Sequence, residues 1–520
     1  MKLSKFPILK NNFVLIVSLL AFFVFSFINL KYPGLQYDEV LFVNAARGGV
    51  GNDKSFIYKE FFDIPVFLMQ YIGALKSYIY FPIFYIFGVN VYTIRIPTII
   101  ISLFSLVIIH KAIKKFTDQK LANLVVLLLS INSVFINLTR TDVGPNTIEF
   151  FLKSIAIFLL LNSKGFKKYF LTLIIFLLGI FNKFNFIWFV NAFLVVTIFL
   201  EIINFDFKKP KIKLLKRIVP STLIWFVSVF FLFRLNSLNN NESSLIFNLN
   251  LIPKFFNHII SIVDQTAFYE YAINNSQMWL KGPYLLIVFI TISLSILKLI
   301  KNRDLQDNIV KLYVISWIYF ILHFVQILVT PKATAPWHWF TIEPFFTFIL
   351  SISIYINFKN KKLYLLNFIL LVFILFYLLL QIFYHQANYK NARNPIWSEE
   401  IYNLMDFASN SNNNFVSIDW GFHNQFLITT SNNSSKFVDL SFILNSKNVD
   451  STTIQNLLKL ASEENNYFVL HSDNSTIFKN SRNNFFQIFD KNGVKLVLVK
   501  TFYDNEKPIY EIYKASVTNN

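Results

Sequence analysis

The chain contains no cysteine, so disulfides, thiolate metal sites and cysteine nucleophiles are excluded. It has only 12 glycines in 520 residues, which leaves little material for glycine-rich phosphate loops. Charged residues make up 15%, well below the fraction of roughly 25% in soluble domains. That deficit excludes both a soluble globular enzyme and a disordered chain. Apolar residues fill the space: 55% of the chain is hydrophobic, with 63 Phe, 24 Tyr and 8 Trp. The mean hydropathy is +0.49. The class is a polytopic α-helical membrane protein.

A net charge of +19 invites a nucleic-acid reading. A nucleic-acid binder needs a basic face on a soluble domain, whereas here Lys and Arg cluster in short loops between apolar runs. That is the positive-inside pattern, and it argues against nucleic acid as a partner. A span needs about 20 apolar residues. The first such run is Asn12–Leu30, read as a retained helix with a cytoplasmic N-terminus because no small-residue cleavage site follows it. Further runs fall near 93–112, 120–137, 146–162, 167–182, 185–203, 218–235, 283–300, 311–330, 340–357 and 363–384, which makes about eleven spans. Basic clusters mark every second loop: Lys111 to Lys120, Lys164 to Lys168, Lys208 to Arg217, Lys298 to Lys311 and Lys359 to Lys362. An odd number of spans then places the C-terminus outside. The expected location is a bacterial inner membrane, with the tail in the periplasm.

Two units follow. Residues 1–384 form the membrane domain, with outer segments 31–92 and 236–282, the latter holding the amphipathic stretch Ile252–Val263. Residues 385–520 shift toward Asn, Ser and Asp. They carry strand-like runs at Phe415–Ile418, Lys436–Leu440, Tyr467–His471, Val494–Val499 and Ile509–Tyr513, with a helical stretch at Thr452–Glu464. This predicts a small extracytoplasmic α/β domain of ordinary size.

The outer helix ends hold charges that the positive-inside rule does not explain. Asp38 and Glu39 follow the first span. Arg95 stands in Arg95-Ile96-Pro97, and Arg140 and Asp142 stand in Thr139-Arg140-Thr141-Asp142-Val143-Gly144-Pro145. Lys183 lies between the fifth and sixth spans. Lys332 and His338 lie between the ninth and tenth, and Lys76 belongs to a helix-like stretch, Tyr71 to Phe87, of the first outer loop. Ionisable groups near a bilayer are costly and mark interior or wet positions, although some basic residues at helix ends are simple snorkelling anchors. Cations gathered on one side suit an anionic lipid headgroup. Asp38 and Glu39 are neighbours and do not share a face of a helix or strand, so they do not form a paired-carboxylate site by themselves. The remaining histidines show no metal-ligand spacing.

The order of these features resembles the membrane glycosyltransferases of the GT-C superfamily, strongest over residues 10–190. It consists of an outward Asp-Glu after the first helix, then Pro65, Gly73 to Tyr78, Phe87-Gly88 and Arg95 to Pro97, then many spans and an outer C-terminal domain. The group it resembles comprises the dolichyl-phosphate-mannose protein mannosyltransferases, the aminoarabinose transferases and the RgtA/B/C/D-like enzymes. The resemblance implies a hexosyl- or pentosyl-type transferase. It would move a sugar from a polyprenyl-phosphate donor to a lipid, glycan or protein acceptor on the outer face. It implies Asp38 as the base, with Glu39 as a second candidate and Asp142 as a further acidic residue. Val143 departs from the family's Asp-aromatic-Gly-Pro. Arg140 would contact phosphate, and Lys76, Arg95, Lys183, Lys332 and His338 complete the donor-phosphate set by position.

The chemistry fits these residue types. A sugar phosphate carries its own leaving group, so the acceptor needs a base, worth about 10²–10⁴-fold, and the departing phosphate needs fixed cations. One direct displacement inverts the anomeric centre. No cofactor is required, and a divalent metal between carboxylate and phosphate is compatible but has no signal of its own. The alternative is a transporter or flippase for lipid-linked sugars. That reading predicts charged or broken helices near the midplane, where this chain shows mostly Phe, Ile and Leu.

Overall fold

The computed structural model describes residues 12–47, 57–163, 165–205, 211–237, 252–267, 281–302, 304–330, 336–358, 363–389, 395–429 and 436–516. Each of the eleven apolar runs contains helix. Among the described residues five helices are long and apolar enough to cross a bilayer, with a sixth if the pair Gln119–Ile131 and Ser133–Thr141 is counted as one span. Three shorter apolar helices add to these: Asn12–Phe27, Glu343–Asn357 and Phe368–Phe383.

The run expected to be one span over 120–137 is broken, with a bend of 62°. Asn132 is the cause. Its side chain accepts from Phe135 N at 2.9 Å, starting a new helix, and it donates to Glu343. Ser133 is tied to the segment after helix Ile252–Val263 by its hydroxyl, which donates to Gln265 O at 2.5 Å. Polar caps satisfy the backbone groups freed at the break, as a bilayer requires.

The two ends of the bundle differ in chemistry. At one end Gln119 meets Asn12, Asn308 caps Phe116 O, Gln306 reaches Ile203 O and Lys115 reaches Asn162 O. Lys111, Lys114, Lys120 and Lys167 lie near the same helix ends. The opposite end carries Arg95, Asp142, Asn182 and Glu343. Between the ends the helices are held by close polar contacts, such as Asn191 with Gln326 (2.7 Å) and Trp225 with Asn191 (2.8 Å). Such contacts matter because lipid is as apolar as Leu and gives helices no hydrophobic reason to associate.

Two small structures cover the second end. Strands β1 (Lys59–Phe61), β2 (Ile64–Met69) and β3 (Ile72–Gly73) form an antiparallel sheet followed by helix Leu75–Phe87. Residues 395–516 form a five-stranded mixed sheet ordered β5-β4-β6-β8-β7, made of Asn414–Ser417 (β4), Phe437–Asp439 (β5), Asn466–His471 (β6), Lys495–Asp504 (β7) and Lys507–Ser516 (β8). The pairs β4–β5 and β4–β6 are parallel, and the pairs of β8 are antiparallel.

Candidate active site

Three loops and one helix start converge at this second end. The loop that follows helix Asn12–Phe27 carries Asp38 and Glu39. Residues 142–146 form a tight turn, residues 182–186 form a second, and Lys76 opens helix Leu75–Phe87. Each is pinned by backbone geometry. Asp142 closes helix Ser133–Thr141 in the left-handed region at φ +45°, a conformation Asp tolerates. Gly144 follows at φ +66°, and a Cβ there would lie 3.3 Å from Lys183 Nζ, so only glycine suits the turn. Asn182 Nδ2 donates to Pro145 O at 3.0 Å, locking the two loops together. Lys183 is extended and bridges Ile72 of β3, and Phe184 N donates to Tyr71 O at 2.9 Å. Gly73 lets β3 sit against the Phe181 carbonyl, where a Cβ would overlap it at 1.7 Å.

The charges then separate into paired and unpaired groups. Glu39 is fully buried and takes two bonds from Arg95, Nε to Oε1 at 2.5 Å and Nη2 to Oε2 at 2.8 Å. Arg95 also donates to the carbonyls of Leu30 (2.6 Å), Pro33 (2.8 Å) and Gly34 (3.3 Å). Arg140 donates to Ile28 O (3.1 Å), Asn29 O (2.8 Å) and Tyr32 O (2.7 Å), capping the end of the first helix. Cations there satisfy the carbonyls that a helix C-terminus leaves over. In this structure Arg95 and Arg140 are both bonded to carbonyls of the segment that leads into Asp38, and the Glu39 carboxylate is paired with Arg95. Lys76 pairs with Asp142 at 2.8 Å and lies 4.0 Å from the centre of the Phe42 ring. Asp142 also accepts from Thr147 N at 2.7 Å.

Asp38 and Lys183 remain. Asp38 has no cation within 4 Å among the described residues, is half-buried, and lines a cleft with Lys76, Gly144 and Pro145. Burial pushes its carboxyl up to about 6, and the Lys183 charge pulls the other way. Lys183 is 1% exposed; among the described residues its ammonium has a weak contact to Asn146 Oδ1 at 3.4 Å and no carboxylate within 4 Å. Burial lowers its pKa, while Glu149, Asp142 and Asp38 act to raise it. His338 lies near enough to feel Lys183, and burial with that charge holds its imidazole down at about 3, so it is neutral at pH 7. A neutral imidazole can still offer a ring N–H to a phosphate oxygen. Lys332 lies outside the described residues.

Sequence reasoning missed a second pair. Glu149 and Lys153 sit inside helix Asn146–Asn162, one turn apart and 2.6 Å from each other, both nearly fully buried. They line a small cavity with Asn146 and Thr341 next to the Lys183 loop. The i,i+4 spacing of Glu and Lys inside an otherwise apolar run was the available signal. Among the described residues no three carboxylates or imidazoles converge as metal ligands.

The model of the dolichyl-phosphate-mannose-protein mannosyltransferase family matches residues 75–232, which hold Lys76, Arg95, Asp142 and Lys183. No curated protein matches the chain by sequence. Among solved structures, ArnT from Cupriavidus metallidurans in the apo state is similar at TM-score 0.54 and 9% identity, covering 96% of this chain and 97% of that one. The same protein bound to undecaprenyl phosphate gives 0.53 and 11%, with the same coverage. The apo oligosaccharyltransferase of Archaeoglobus fulgidus gives 0.52 and 10%, covering 90% and 70%. At these identities the likeness is one of fold. The chain resembles the GT-C glycosyltransferases both in this matched segment and in architecture.

Proposed function

We propose that the protein is a membrane glycosyltransferase that moves a sugar from a polyprenyl-phosphate donor to a hydroxyl- or amine-bearing acceptor. One observation carries the reading. Of the described residues named from sequence, Asp38 and Lys183 are the carboxylate and the ammonium left without an opposite charge within 4 Å; each lies in the other's field, and Asp38 lines a cleft with Gly144, the residue that Lys183 packs behind. Asp38 is the base. It takes the proton as the acceptor heteroatom bonds to the anomeric carbon and the bond from that carbon to the phosphate oxygen breaks. The electron pair leaves with the lipid phosphate. Lys183, aided by Lys76, holds that phosphate and stabilises the charge it gains. A single displacement inverts the anomeric centre. Asp142 orients Lys76, and the charge distribution along the sequence supports an outward-facing site. The undecaprenyl phosphate seen in ArnT is consistent with a donor of this kind.

The test is transfer of radiolabelled sugar from polyprenyl-phosphate donors in membranes containing the chain, with cell envelope supplied as acceptor. Transfer by wild type and a loss of about 100-fold or more in Asp38→Asn is expected. Equal transfer in both would remove Asp38 from the chemistry. A complete blank with acceptor present would favour lipid-linked sugar transport instead.

A further inference from the structure

The loop that carries Asp38 is gripped from two sides. On the bundle side are Arg95 and Arg140. On the other side are groups of the C-terminal domain. Gly34 N donates to Trp397 O at 2.8 Å, and Tyr402 donates from its hydroxyl to Lys31 O at 2.8 Å. Asn424 Nδ2 donates to Tyr37 O and Gln425 Nε2 donates to Leu35 O, both at 3.2 Å. Both amides are almost fully buried. The Trp420 ring lies against the Tyr37 ring, centroids 4.7 Å apart. A single apolar core runs across the contact, from Leu35, Val40 and Phe42 to Phe422, Phe426 and Leu427.

The turn that presents these groups is itself rigid. Asp419 accepts from Trp420 N, Phe478 N and Ile477 N, and meets His471 Nδ1 at 3.0 Å. Its carboxylate is therefore committed to the turn. The Asp419-Trp420-Gly421 segment thus places the Trp420 ring against Tyr37.

We infer that residues 420–427 of the C-terminal domain are a positioning element for the transfer reaction, with Asn424 and Gln425 holding the Leu35–Asp38 backbone so that the Asp38 carboxylate faces the cleft. The inference rests on Asp38 being the base. The apolar core alone docks the domain, but an apolar contact is non-directional. The two amides add direction by fixing two carbonyls on either side of Gln36, whose own side chain accepts from Asp38 N at 2.6 Å and Glu39 N at 3.1 Å.

The experiment uses the full chain in membranes with Asn424→Leu and Gln425→Met combined. Transfer kcat falls tenfold or more while donor KM stays within twofold, because the phosphate ligands Lys76 and Lys183 stand on other elements. Amide hydrogen exchange of residues 35–39 rises at least tenfold, with strands 414–417 and 466–471 unchanged. Asn424→His, which restores a ring N–H at the same reach, recovers most of kcat. Unchanged exchange at 35–39, or an equal rise in donor KM, overturns the inference. Should the double variant also expose the C-terminal strands, Gln425→Met alone decides, and the inference falls if the loop does not loosen by itself. The exchange readout stands even if the wild type transfers no sugar, so failure of the functional reading and failure of the clamp are separable.

Discussion

The opposed influences on Asp38 give a quantitative pH prediction. Burial raises its carboxyl to about 6 and the Lys183 ammonium works against that rise. A general base acts only when deprotonated, so the sign is fixed: activity rises with pH through about 6 and levels off above it. The ratio of charged to neutral carboxyl changes tenfold per pH unit, so the rate at pH 5 is roughly one-tenth of the plateau and at pH 7 about nine-tenths. Lys183→Met removes the lowering influence while leaving the burial. The acid limb of kcat then moves to higher pH, and at pH 6 the variant loses more activity than at pH 8. The assay is the initial rate of sugar transfer at saturating donor between pH 4.5 and 8.5, for wild type and Lys183→Met. Tyr37 and Tyr71 also lie in the field of Asp38, but their phenols are held above their usual range and do not titrate in this window. An acid limb near 4 in the wild type, or a shift to lower pH in the variant, would refute the placement of Asp38 and Lys183 together.

Other expectations follow from the same geometry. Glu39→Gln leaves Arg95 buried without its carboxylate, and breaking a buried pair costs about 3–5 kcal/mol. A large fall in thermal midpoint, with activity lost in proportion to folded protein, is the expected result, and a stable but inactive variant would return Glu39 to the catalytic candidates. Lys183→Met also removes a charged phosphate contact worth about 1.5–3 kcal/mol, so donor KM rises about 10- to 150-fold at pH 8, measured by donor titration. Gly144→Ala forces a side chain into φ +66° beside Lys183, at a cost of about 1–2 kcal/mol. Its melting point drops and its donor KM rises together, and a change in neither would mean that the turn is not held as described.

Much of the architecture could be read from hydropathy because the signal is long and redundant. A run such as Asn308–Leu328 is apolar at most of its positions, so its existence survives any single residue. The C-terminal strands were legible for a related reason: Phe415–Ile418 and Tyr467–His471 alternate or run apolar between Asn-rich turns, and they fall on strands Asn414–Ser417 and Asn466–His471. The break at Asn132 was not legible. An Asn-Ser pair can cap a helix, as Asn132 does by accepting from Phe135 N, but the run on either side is apolar enough to read as one span, and the contact that holds Asn132 there is to Glu343, 211 residues away. The sheet at Lys59–Gly73 was missed because its strands are short and take their place from Phe184 and Lys183, not from their own pattern.

The site was legible in its residue types and hidden in its pairings. Sequence gathers Asp38, Glu39, Lys76, Arg95, Arg140, Asp142 and Lys183 as one set of equals, because each is a costly charge at the same end of the bundle. Folding divides them by giving most of these charges a local task. Glu39 with Arg95 and Asp142 with Lys76 each sum to zero net charge, and Arg140 is committed to carbonyls at the end of a helix. A charge cancelled at 2.5–2.8 Å contributes little field at a distance. What a phosphate or an acceptor would meet at the cleft is therefore set chiefly by the charges that were not cancelled, Lys183 and Asp38, with Lys76 adding N–H donors from its neutral pair with Asp142. Position in sequence gives the inventory of ionisable groups, but only three-dimensional pairing tells which of them keep a charge to use. The adjacency of Asp38 and Glu39 shows this most directly: one residue apart, one carboxylate is spent on holding the loop and the other is what the loop holds out.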